Sequence, residues 1–249
     1  MPAQSVFITG ASSGLGRGLA LHYAHHGAAV HAVARRKDEL EKLAAEAPTI
    51  VPVPLDVQDH DALAAAIRTA EEASGGALDL VIANAGVGQP TSARKMDWKV
   101  VRQIMDVNVT SACVTIAAAL PKMIARNRGQ VVAVSSLAAF RGMPGNASYC
   151  ASKAALHLWM ESVRVDLRKT KVLATTIYPG FVKTAMTAKN KFRMPFLMDL
   201  DDAVRTMANG IDRGAPVIAY PLPMVAVVKT LRAIPRGLYE PLAARLRMF

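Results

Sequence analysis

Thr9-Gly10-Ala11-Ser12-Ser13-Gly14-Leu15-Gly16 is the turn from which the rest of the chain can be laid out. Before it runs Ser5-Val6-Phe7-Ile8-Thr9, a short β-branched and aromatic stretch that reads as a buried strand ended by Gly10. After it, Leu15, Leu19 and Tyr23 recur every four residues until Gly27, the pattern of an amphipathic helix with a glycine stop. The alternation continues outward. Strands are expected at 30–34, 50–55, 78–84, 130–136 and 172–178. Helices are expected at 37–47, from Asp59 as an N-cap, at 97–126 with a kink at Pro121, and at 149–169. The strands are nearly continuous apolar runs, as burial on both faces requires. Such alternation implies an α/β fold, a doubly wound parallel sheet of about seven strands forming one domain. Past Pro179 the rhythm breaks. A helix at 201–212 and a short strand at 217–219 follow, and Pro221, Pro223, Pro235 and Pro241 divide the remainder into short basic helical segments.

Composition narrows the function classes. The chain has 249 residues, 52% of them hydrophobic, which is enough for a large core and excludes intrinsic disorder. No uninterrupted apolar run reaches the ~20 residues of a bilayer span, and the N-terminus has no basic, apolar leader. Two cysteines, Cys113 and Cys150, cannot form a disulfide framework, so a reducing compartment, the cytoplasm, is expected. The six histidines show no metal-ligand spacing, and no metal is expected. Lys and Arg number 30 against 19 Asp and Glu, a formal +11. That excess suits nucleic acid, a membrane surface or an anionic ligand. From Lys183 onward there are 11 basic and 5 acidic residues, without interleaved aromatics or a reader motif, which argues against nucleic acid.

A glycine-rich turn between strand and helix lets backbone approach a pyrophosphate, while the helix N-terminus offers free N–H groups. The spacing here is not the general G-x-G-x-x-G. Its T-G-x-x-x-G-x-G form, with Asn84-Ala85-Gly86, Asn108, Ser136, Tyr149-Cys150-Ala151-Ser152-Lys153 and Pro179-Gly180 in order, resembles the short-chain dehydrogenase/reductase family over residues 4–187. Ala83 departs from it, standing where many members have a first asparagine. The resemblance implies a Rossmann-type dinucleotide site built from Gly10, Ser12, Ser13, Gly14, Leu15, Gly16, Asn84, Ala85 and Gly86. It adds Asp56-Val57 against the adenine, and Pro179, Gly180, Val182 and Thr184 against the nicotinamide and phosphate. The second strand ends in Ala34-Arg35-Arg36, with no acid to bind ribose hydroxyls. An arginine fork there can hold a 2′-phosphate, which a carboxylate would repel. NADP(H) is therefore the expected cofactor, with Arg35 as the main phosphate contact beside Arg36, and NAD(H) stays open.

Tyr149 and Lys153 lie four residues apart on one helical face, and Ser136 ends a strand at the sheet edge where ligands bind. A tyrosine of pKa ~10 needs a stabilised phenolate to exchange protons near neutrality, and a nearby ammonium can supply that. The family resemblance assigns Tyr149 the proton transfer and Ser136 a hydrogen bond to the carbonyl oxygen. It gives Lys153 the tuning of the tyrosine and the ribose hydroxyls, and Asn108 a water that links Lys153 to solvent. Ser135 receives no role. The implied reaction is hydride transfer between nicotinamide and a small-molecule carbonyl or secondary alcohol, in a homodimer or homotetramer joined through helices near 108–127 and 149–170.

The family resemblance implies that the segment 181–200 forms a substrate lid. Here Phe192, Met194, Pro195, Phe196, Leu197 and Met198 make it apolar, which suits a hydrophobic substrate or packing on the enzyme itself or on a neighbouring subunit. In 222–249, Leu222, Met224, Val225, Val227 and Val228 form an apolar block, and Leu238, Leu242 and Leu246 recur beside Arg245 and Arg247. Such a segment fits peripheral membrane contact, a cap on the pocket, or a subunit interface. A non-catalytic nucleotide-sensing or membrane-surface protein is the competing class, and the full Asn–Ser–Tyr–Lys set argues against it. An epimerase or dehydratase would need a longer substrate domain.

Overall fold

The computed structural model describes residues 3–189 and 193–245. Seven strands form one parallel sheet: β1 (Ser5–Thr9), β2 (Ala29–Ala34), β3 (Ile50–Pro54), β4 (Leu80–Ala83), β5 (Gly129–Val134), β6 (Val172–Pro179) and β7 (Val217–Tyr220). Their order across the sheet is β3-β2-β1-β4-β5-β6-β7. Every pairing is parallel. The order reverses between β1 and β4, and in open α/β sheets a crevice opens at that reversal, beyond the strands' C-terminal ends.

Alternate residues of each strand feed different layers. Val6 and Ile8 of β1 face one core with Leu19, Tyr23, Val204 and Met207, while Phe7 faces the other with Leu63, Ile67, Ile116 and Leu156. Helices α1 (Gly14–His25), α2 (Lys37–Glu46) and α7 (Leu200–Asp212) cover the first face. Helices α3 (His60–Ala73), α4 (Trp98–Met105), α5 (Ser111–Ala125) and α6 (Ala147–Asp166) cover the second. Asp59 caps α3 as expected, its carboxylate accepting from the Ala62 N–H. Two short helices follow β7, α8 (Leu222–Ala233) and α9 (Arg236–Arg245), the latter containing Pro241. Leu246 and Arg247 of the expected repeat, and Phe192 of the lid, lie outside the described residues.

One stretch differs from its sequence reading. Residues 98–125 form a continuous helix in which 106–110 widen into a π-helical turn, while α5 runs on through Pro121. A single extra residue per turn is the common form of such a widening, and it re-aims one side chain inward. Here that turn carries Asn108, which is fully buried. By length and composition this helix is also long and apolar enough to cross a membrane. Its apolar side, including Ile104, Val107, Ile116 and Met123, is already spent on the core of the domain.

Candidate active site

A cavity of about 860 Å3 opens along the C-terminal edge of the sheet, on the line of the β1/β4 reversal. All the site residues expected from the sequence line it except Gly16 and Asn108. At one end the glycine turn forms its floor. Gly14 has φ +56°, a left-handed conformation that a side chain would strain. A Cβ on Gly16 would lie 2.4 Å from the Gly10 carbonyl and the Asn84 amide, so only glycine lets α1 start this close to β4. Ser13, the N-cap of α1, makes no side-chain cap bond, and the first turn carries no acid. A dipole end left bare of acids and side-chain caps fits the diphosphate of a dinucleotide.

The turn is welded to its neighbours by residues whose roles the sequence did not disclose. Thr9 Oγ1 accepts from the Asn84 and Ala85 N–H groups, both at 3.1 Å. The Asn84 amide donates to the Thr9 carbonyl at 3.0 Å and to the Gly10 carbonyl at 3.4 Å. Asn84 thus spends its donors bridging β1 to β4. Across the cavity Thr184 lies where a side chain on Gly14 would meet it in ordinary contact, and Thr187 shapes that loop through bonds with Thr184 and the Val182 carbonyl. Lys183 N–H to the Met198 carbonyl and Met198 N–H to the Phe181 carbonyl, both 2.9 Å, pin the base of the lid.

Arg35 and Arg36 differ in how they are held. Arg36 donates to Ser12 Oγ at 2.9 Å, so its guanidinium sits against the glycine turn. Arg35 is largely exposed and 3.7 Å from the Asp56 carboxylate. Asp56 also accepts from the Gln58 N–H at 3.1 Å, so part of its charge serves the local turn. Both arginines line the cavity, and Arg36 is the better fixed.

At the other end Ser136, Tyr149 and Lys153 meet. The Ser136 hydroxyl accepts from the Ala138 N–H, lines the same cavity as the Tyr149 phenol, and is close enough to it to favour its ionised form. Lys153 is buried, its ammonium 5.9 Å from the Tyr149 ring centroid and donating to the Val134 carbonyl at 2.8 Å. Burial dominates both titrations. It pushes the Tyr149 phenol up against the opposing effect of Ser136, and it brings Lys153 down to about 8. The ammonium is engaged by a backbone carbonyl, so here it does not offset the cost of a phenolate, and Tyr149 is held as a proton donor.

Asn108 is tied on three sides. Its Oδ1 accepts from the Val87 N–H at 2.8 Å, and its Nδ2 donates to the Val87 carbonyl and to Ser152 Oγ, both at 3.0 Å. Ser152 in turn donates to the Tyr149 carbonyl at 2.8 Å. Asn108 therefore binds the loop after β4 to the first turn of α6. Ser135 plays a similar structural part, donating to the Lys153 carbonyl at 2.8 Å.

The apolar wall beyond Tyr149 comes from Met143 in the loop before α6, which carried no sequence signal, and from Met224, Val228 and Leu231 of α8 and Tyr239 of α9, in the segment for which a cap on the pocket was one expectation.

The short chain dehydrogenase family model matches residues 4–194. An uncharacterized oxidoreductase of Myxococcus xanthus (strain DK1622) is 50% identical over 99% of both chains. Among solved structures, a short-chain dehydrogenase from Burkholderia cenocepacia J2315 in complex with NADP is 28% identical over 96% of both chains, at a TM-score of 0.82. A short-chain dehydrogenase/reductase from Burkholderia phymatum in complex with NAD, 22% identical over 91% of this chain and 92% of its own, shares the fold at a TM-score of 0.83. On the family match and on the 50% identical relative, this chain belongs to the short-chain dehydrogenase/reductase family and is an oxidoreductase.

Proposed function

We propose that this protein is an NADP(H)-preferring reductase or dehydrogenase of apolar ketones and secondary alcohols. One observation carries the reading: a single cavity joins a half-buried tyrosine and serine beside a buried lysine to a glycine turn flanked by two arginines. The Burkholderia cenocepacia relative in complex with NADP supports the nicotinamide, and Arg36 fixed on Ser12 supports the phosphorylated form. When bound, the nicotinamide supplies or accepts the hydride. The chain does the rest. Ser136 donates to the substrate oxygen as negative charge develops there. Tyr149 delivers its phenolic proton to the same oxygen in reduction and takes it back in oxidation. Lys153, which lines the cavity, would hold the ribose hydroxyls of the bound cofactor. Met143, Met224, Val228 and Leu231 favour an apolar substituent, which argues for a hydrophobic carbonyl compound. The buried Cys150 and half-buried Cys113, both free, favour a reducing cytoplasmic setting.

NADPH oxidation measured against aliphatic, steroid-like and acyl ketones tests the reading. Tyr149→Phe lowers turnover by about 10²–10⁴-fold, the usual worth of a positioned acid, while NADPH binding persists. Near wild-type turnover in that variant overturns the proposed proton transfer.

A further inference from the structure

One group of exposed apolar side chains gathers at the mouth of the cavity. Met186 and Phe196 of the lid and Val227 of α8 line the cavity and are exposed at once. Just beyond, Leu222 is 78% exposed on α8, and Leu238 and Leu242 stand one turn apart on α9, at 68% and 47%. None of these three leucines lines the cavity, so capping the substrate does not account for them. That work falls to the inward side of α8.

The two helices are held in place. Arg141, on the loop between Ser136 and Tyr149, donates to the Ile234 carbonyl at 3.1 Å and to the Arg232 carbonyl at 3.4 Å. Its guanidinium lies 4.0 Å from the Tyr239 ring centroid, and Tyr239 donates back to the Gly142 carbonyl at 2.6 Å. The leucines are therefore presented by a fixed surface. The same stretch, 222–245, carries Lys229, Arg232, Arg236 and Arg245 against a single acid, Glu240. None of the four takes part in an ion pair among the described residues.

We propose that α8 and α9 seat the mouth of the cavity on an anionic lipid surface, from which an apolar substrate reaches Tyr149. Exposed leucines flanked by unpaired basic side chains match the apolar and headgroup layers of such a surface. A second copy of this chain fits less well, because a two-fold contact would set the same basic residues against themselves. The docking stands on this geometry alone. Delivery of substrate from lipid rests on the apolar-carbonyl reading above.

Flotation of the full chain with phosphatidylcholine vesicles, with and without phosphatidylserine, tests the docking. The protein floats with the phosphatidylserine vesicles, stays down with phosphatidylcholine alone, and is released by high salt. Arg236→Gln with Arg245→Gln weakens partitioning about 30-fold, at the worth of two basic residues near an anionic surface. Leu238→Glu with Leu242→Glu abolishes it. Both variants keep wild-type NADPH affinity and wild-type turnover of a small water-soluble ketone. Lack of flotation by the wild type, or flotation untouched by both variants, overturns the proposal. So does a shift of either variant to a smaller species in sedimentation, which would mark the face as a subunit contact. Flotation that responds to both variants supports docking even if no carbonyl is reduced, so the two readings fail separately.

Discussion

Lys153 shows how strongly this site works against the stability of its own fold. Burial brings its ammonium down to about 8, a drop from the ordinary lysine range worth about 3 kcal/mol at neutral pH. Since the folded value lies below the unfolded one, the folded chain binds fewer protons from about pH 8 up to the ordinary lysine range. Stability from this group therefore rises with pH across that window. Lys153→Met removes the penalty. In denaturant titrations at pH 7 the variant is expected to be more stable by up to about 3 kcal/mol, with the gap closing above pH 8, while turnover is lost. The same titration predicts that reductive kcat/KM of the wild type declines as pH rises through about 8, where the ammonium that grips ribose discharges. The two arginines at the end of β2 are separable by the same kind of measurement. Arg36→Asp loses a charge-assisted contact and adds repulsion, so NADPH affinity should fall by about 100-fold and NADH affinity by less than about threefold. Arg35→Asp should do less, because Arg35 is exposed and already shares its charge with Asp56. Equal losses for both cofactors in a fluorescence titration would count against the phosphate role.

Helix α6 delivers Tyr149 and Lys153 to the cavity, but three other elements decide their geometry. Strand β5 leads into Ser135 and Ser136, one bonded to the α6 backbone and the other set close to the Tyr149 phenol. The π-helical turn at 106–110 points Asn108 at Val87 and Ser152. The α8–α9 pair closes the apolar wall through the Arg141–Tyr239 contact. Arg141→Ala should loosen that wall. KM for bulky apolar ketones is expected to rise about tenfold, with NADPH affinity and the turnover of small ketones near wild type. Unchanged KM across a ketone series would show that the clasp has no part in substrate placement.

Among the described residues, two of the exposed apolar regions differ in their chemistry. One rims the cavity and is basic. The other lies on the α5 and α6 side, where Ile124, Leu158 and Val165 are exposed on helices that cover the second face of the sheet. That side suits the homo-oligomer expected from the family. Leu158→Glu with Val165→Glu should convert it to monomers in analytical ultracentrifugation while leaving vesicle flotation intact. An unchanged sedimentation profile would remove α6 from any subunit contact.

Much of this was legible along the chain. Parallel strands buried on both faces must read as continuous apolar runs. A Cβ on Gly16 would lie 2.4 Å from the Gly10 carbonyl and the Asn84 amide. The strands and the glycine turn were therefore legible locally, while the order of the strands was not. Tyr149 and Lys153 share a helical face by spacing alone. Other features depend on residues far apart in sequence meeting in space. Thr9 bonds to residues 75 and 76 positions away, and Arg141 to one 93 positions away. No periodicity announces such pairs. Nor does composition say whether a +11 chain spreads its charge or gathers it. The turn chemistry and the helix face are written in neighbours, because backbone conformation is local. The fixing of Arg36 on Ser12, the burial of Lys153 beside Tyr149 and the placing of basic, leucine-bearing helices at the mouth of the cavity are set by burial and by contact, which exist only once the chain has folded.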